Sequence, residues 1–73
     1  MQELVDEALL RVTELIQGEK FIVRDLFPVF RWRRLAINDR QTLGILFKHE
    51  MNRSKAAKLM EKNTQGQQVY EKL

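Results

Sequence analysis

Between Glu3 and Gln17 the apolar residues Leu4, Val5, Ala8, Leu9, Val12 and Ile16 recur at helical spacing, with Leu15 at the border of their face. They predict a first helix ending at Gly18, since glycine takes the left-handed terminal conformation without a Cβ penalty. The pattern then shortens. Lys20-Phe21-Ile22-Val23 is β-branched and aromatic, which suits a single strand. Arg24 to Phe30 predicts a short second helix with Asp25 as its N-cap, placing Pro28 in the first turn where a missing N–H is tolerated. Arg31-Trp32-Arg33-Arg34-Leu35 either continues that helix or begins a connection.

Asn38, with Gln41 three residues later and an apolar run beyond, has the form of a capping box and predicts a third helix over 39–53. Leu43, Leu46, Phe47 and Met51 share one side of it; Gln41, Ile45, Lys48, His49 and Asn52 share the other. Gly44 lies in mid-helix, where a close approach by another backbone is the expected reason for a glycine. Past Ala56 the period changes again. KLMEK and QQVYEK flank Asn63-Thr64-Gln65-Gly66, and pairing Lys62 with Gln67 sets Met60 opposite Val69, Leu59 opposite Tyr70 and Lys58 opposite Glu71. Those matches favour a hairpin over 56–73; the competing reading continues the third helix through the good helix formers KAAKLMEK.

Helix, strand, helix, helix, hairpin is the order of a winged helix-turn-helix: α+β, three helices with a small antiparallel sheet and a C-terminal hairpin wing. Neither KFIV nor the hairpin is stable alone, but together they form a sheet that the helices cover. Composition limits the scale of this plan. Seventy-three residues, 44% hydrophobic, suit one domain over 1–73 that buries only about 60% of its unfolded surface. Without cysteine there are no disulfides or thiolate metal sites, so packing or self-association must supply stability. No stretch approaches the roughly 18 consecutive apolar residues of a membrane span, and the acidic start MQELVDEALL is unlike a signal peptide. The expected setting is the cytoplasm, with no membrane partner.

Charge divides along the chain. Residues 1–19 carry Glu3, Asp6, Glu7, Glu14 and Glu19 against Arg11, a net of −4, whereas residues 31–58 carry eight bases against Asp39 and Glu50, a net of +6. A basic middle points to an anionic partner, with double-stranded DNA the first candidate. In a helix-turn-helix the last helix packs one side on the body and offers the other to the major groove. Gln41 and Thr42 near its start, with Lys48 and Asn52 further along, are the residues expected at base edges, and Ile45 and His49 belong to the same nucleic-acid-binding side. Arg40, Lys48, Arg53, Lys55 and Lys58 are expected at phosphates. The hairpin tip, with Lys62, Asn63, Thr64, Gln65 and Gln67, is polar and slim enough to follow the backbone or enter the minor groove.

An amphipathic helix by itself is only a surface helix, so other readings stay open. One is a protein-interaction module of the same fold, or a homodimer formed through helix one. Another is a single-strand binder that stacks bases on Trp32, although Trp32 is expected instead to complete a core with Phe21, Phe27, Phe30 and Phe47. Catalysis finds little support. There is no glycine-rich phosphate loop and no HExxH pattern. His49 is the single histidine, and Glu50 points about 100° away from it on a helix, so they form no dyad. No catalytic residue, metal site or cofactor is expected.

The blocks GEKFIVRDLF, Trp32 and NDRQTLGILF resemble a family of short, largely uncharacterised proteins of Gram-positive bacteria, their plasmids and phages. Its pattern is Gly-Glu-x-Phe-x-Val-(Arg/Lys)-Asp-Leu-Phe, then a Trp, then Asp-Arg-x-x-Leu-Gly-x-x-Phe. Gly18, Glu19, Phe21, Val23, Arg24, Asp25, Leu26 and Phe27 match the first block; Asp39, Arg40, Leu43, Gly44 and Phe47 match the second. TQGQQVYEK is similar to the family's hairpin ending. The resemblance implies a winged-helix-like domain, sometimes DNA-binding, in conjugation and plasmid-control modules. Pro28-Val29-Phe30 departs from it, standing where the family carries a polar, glycine-containing stretch.

Overall fold

The computed structural model describes residues 1–73. Its first helix, α1, spans Gln2–Val12 and sets Val5, Ala8 and Val12 against the core. The helical spacing of the sequence runs on to Ile16, but the helix does not. Thr13, Glu14 and Leu15 each donate a backbone bond three residues back, tightening and ending the helix. Ile16 is left 77% exposed.

The chain then reverses through Ile16–Glu19. Glu19 N–H donates to the Ile16 carbonyl at 2.9 Å, its carboxylate accepts from Ile16 N–H at 3.0 Å, and Gly18 takes φ +88°. Gly18 thus provides the positive φ of a turn, not of a helix terminus. Tertiary pairing decides this: Gly18 N–H reaches the Lys72 carbonyl at 2.8 Å, and Lys72 N–H reaches that of Glu19 at 2.9 Å. A helix continued to Gln17 would remove both bonds.

Strand β1 is only Lys20–Phe21, because the next backbone groups are already engaged. Ile22 N–H donates to the Asp25 carboxylate at 3.0 Å, and Asp25 N–H donates to the Ile22 carbonyl at 3.0 Å. Asp25 therefore does not start a helix as its N-cap; it reaches back to close a 3₁₀ turn over Val23–Leu26. Phe27 follows in extended conformation, as the residue before a proline prefers. Helix α2 begins only after Pro28, at Val29, and runs through Arg34. The expected single helix with Pro28 in its first turn is thus two pieces divided by the proline, and Arg31 to Arg34 belong to the second.

After the extended residues Leu35 and Ala36, helix α3 spans Ile37–Ser54. Asn38 is not its cap. Arg40 N–H already donates to the Ala36 carbonyl at 3.0 Å, so Asn38 lies inside the first turn and no side chain caps the start. Leu35 packs on the core and fixes where the connection ends. Leu43, Phe47 and Met51 are fully buried, one above another. Lys55 ends the helix in the left-handed region at φ 60°.

Strands β2 (Ala57–Leu59) and β3 (Tyr70–Lys72) form the C-terminal hairpin. Leu59 opposes Tyr70 and Lys58 opposes Glu71, the register that the cross-strand pattern predicts. Met60 N–H extends it to the Val69 carbonyl at 2.8 Å. Strand β3 is central, flanked by β1 and β2, all antiparallel. The fold is therefore α+β, three α-helices on a three-stranded antiparallel sheet, in the expected element order. No helix is long and apolar enough to cross a membrane.

The core joins the two layers through aromatic contacts. Tyr70, 1% exposed, stacks on Phe21 at 5.6 Å and meets the edge of Phe47 at 5.1 Å. Trp32 is peripheral, beside Phe27 at 6.1 Å. Phe30, expected in this cluster, is 53% exposed, with the Arg34 guanidinium over its ring. Phe30 lies in the first turn of α2, just after Pro28, where Val29 beside it is also exposed. Gly44 is approached by no other backbone, for a Cβ placed there meets nothing within 4 Å.

Candidate nucleic-acid interface

Between α3 and the hairpin tip runs an open groove. Gln41, Gly44, Ile45 and Lys48 form one wall, recurring along a single helix face. Lys62, Gly66, Gln67 and Gln68 form the other, and Arg24, Trp32, Arg40 and Tyr70 also line it. Burial of Leu43, Phe47 and Met51 fixes the rotation of α3 that turns this face outward. Ile45 is 70% exposed, and Lys48 is solvent-facing beside it.

The opposite wall is held by Asn63. Its Oδ1 accepts from the N–H groups of Gln65 at 3.0 Å and Gln67 at 2.9 Å, and its Nδ2 donates to Gln67 Oε1 at 3.0 Å. Gly66 supplies positive φ, +79°, in the same turn. Gln68 is pinned from the strand side, its amide donating to the carbonyls of Met60 and Val69. Thr64 and Gln65 stand exposed at the tip.

Electrostatically the groove is one-sided. Arg24, Arg40, Lys48 and Lys62 line it, and no aspartate or glutamate does. Three acids are engaged away from it: Glu7 with Arg31 and Arg11, Glu14 with Arg11, and Glu50 with Arg53 at 2.7 Å. Four like charges along one concavity focus a positive potential that draws anions.

The expected site residues divide accordingly. Gln41, Ile45, Lys48 and Lys62 come together in the groove. Thr42, His49 and Asn52 are exposed on α3 but lie outside it. Lys55 and Lys58 flank the junction of α3 and β2, both exposed and without an ion-pair partner. Arg53, expected at a phosphate, is engaged by Glu50. Arg40 lines the groove but does not extend into solvent. Its guanidinium lies 5.5 Å from the centre of the Trp32 ring, and its Nη2 donates to the Arg33 carbonyl at 3.3 Å. A base stacking on that side of Trp32 would have to displace it.

Arg24 and Gln68 belong to the site although the sequence pattern does not single them out. Arg24 is a lone cation in a 3₁₀ turn, and only the tertiary fold brings it to the groove. Gln68 had a weak signal in the polar composition of the hairpin. Tyr70, which also lines the groove, keeps its proton: burial disfavours the phenolate and pushes its pKa up to about 12. No group of three His, Cys, Asp or Glu side chains is placed to hold a metal ion.

The sequence profile of a family described as "Domain of unknown function (DUF1413)" matches residues 6–72. Neither a curated protein nor a solved structure matches the chain.

Proposed function

The chain belongs to the DUF1413 family, and from that premise and the charge of its groove we propose that it is a double-stranded DNA-binding protein of winged helix-turn-helix plan. Helix α3 enters the major groove, and the hairpin acts as the wing on the neighbouring backbone. The observation that carries this reading is the groove lined by four cations and no acid, bounded by the exposed face of α3. Gln41 and Gln67 supply hydrogen-bonding amides beside those charges, the combination that base and phosphate contacts require together. The protein works in the cytoplasm as a regulator or accessory factor of a mobile element of Gram-positive bacteria, the context implied by the sequence resemblance.

A duplex titration across salt tests this with the parent and a Lys48→Ala/Lys55→Ala double variant. The variant binds more weakly, and its salt slope is shallower by about two. Equal affinity and no salt dependence would discard the mode.

A second reading is favoured by exposed apolar side chains away from the groove. Leu10 on the acidic helix α1 and Ile16 beyond it face solvent, so α1 offers a surface for a second copy or another protein. Sedimentation at two salt concentrations separates the readings. A salt-sensitive dimer without nucleic acid supports association through α1, whereas a monomer at both removes the homodimer.

A further inference from the structure

Gly44 stands in the middle of α3, where a glycine weakens a helix through backbone entropy. Nothing within the protein requires it there. Its φ is not positive, and an added Cβ would meet no atom within 4 Å. The space it leaves opens into the groove, on the helix face shared by Gln41, Ile45 and Lys48. A glycine at a point of no internal contact, facing a cationic concavity, lets an outside group come against the helix backbone itself.

A second, independent observation concerns Arg40, which lines the same groove. Arg40 Nε is buried and has no hydrogen-bond partner. An unpaired buried N–H on a cation is costly, and an oxyanion is the acceptor that relieves it best. No carboxylate of the chain lines the groove to do so. Trp32 has the Arg40 guanidinium over its ring, and Tyr70 is buried, so the groove suits a phosphate backbone better than a stacked base.

We infer that one sugar-phosphate strand of a bound duplex passes between α3 and the hairpin, lying against the α3 backbone at Gly44 and giving a phosphate oxygen to Arg40. The inference rests on the DNA-binding reading and specifies which strand path and which residues serve it. Lys48 on the helix and Lys62 on the hairpin flank that path, so the strand is neutralised from both sides. Ile45 at the rim makes an apolar contact beside it.

The test is anisotropy of a labelled duplex titrated with the parent, Gly44→Ala and Gly44→Leu across salt, with a thermal melt of each protein. Gly44→Ala melts above the parent yet binds more weakly. Gly44→Leu binds at least about tenfold more weakly. Should Gly44→Leu fail to fold, Gly44→Ala carries the comparison alone. If the parent binds with salt dependence and the folded Gly44 variants bind equally well, the strand does not pass there, and the broader DNA reading survives. If the parent shows no salt-dependent binding to duplex, both fall.

Discussion

Lys55 holds φ 60° at the end of α3, a conformation that glycine adopts freely and a lysine does not. With Gly44 it forms a pair in which each position carries the residue that the other would suit better. Local rules are most often broken where function requires it. Lys55→Gly should raise unfolding free energy by about 1 kcal/mol in urea titrations, while losing duplex affinity. Gly44→Ala should gain roughly 0.5–1 kcal/mol. Tyr70 sets a limit in alkali. Its native pKa of about 12 lies above the unfolded value near 10, so between them the unfolded chain loses a proton that the native protein keeps. Stability is therefore complete below about pH 10 and declines toward pH 12, by an amount on the order of 1–2 kcal/mol. Comparing melts with Tyr70→Phe isolates this component. If the variant and parent decline in parallel, Tyr70 is not its source.

Among the elements, the hairpin was the most legible in the sequence. Its register follows from cross-strand matches such as Leu59 with Tyr70, which neighbouring residues specify without help from the rest of the protein. Its tip depends on one side chain. Asn63→Ala removes three hydrogen bonds and should cost about 1–2 kcal/mol, with faster amide exchange at Gln65 and Gln67. The second helix was the least legible. Asp25 signalled a start and Pro28 a first turn, but the residue before a proline disfavours helix, and that local effect divides the segment after Leu26. The apolar stripe of α3 was clear, and Phe47 is its centre. Phe47→Ala should lose about 3–5 kcal/mol, comparable with the whole stability of a core this small, and circular dichroism should show it largely unfolded at ambient temperature.

At the scale of the molecule, charge is arranged by pairing. Glu7, Glu14 and Glu50 engage Arg11, Arg31 and Arg53, leaving unpaired cations at the groove. The Glu7–Arg31 pair also ties α1 to α2. As a partly exposed ion pair it should contribute no more than about 1 kcal/mol, read from urea titrations of Glu7→Gln. Charge counted along the chain located the basic half but did not separate Arg53, bound by its own helix, from Lys48, free at the groove. It also gave no weight to Arg24. These distinctions are three-dimensional, since they depend on which acid stands beside which base.

Apolar spacing and turn chemistry alone determined that residues 4–12 and 43–51 form amphipathic helices and that α3 has one face to spare, and cross-strand matches favoured a hairpin over residues 56–73 without removing the helical alternative. Each follows from contacts between near neighbours in the chain. Tertiary packing decided where α1 stops and which cations share a groove. The Gly18 N–H had two possible partners, a carbonyl of a continued helix or that of Lys72, and Lys72, far away in sequence, becomes available only when the sheet closes.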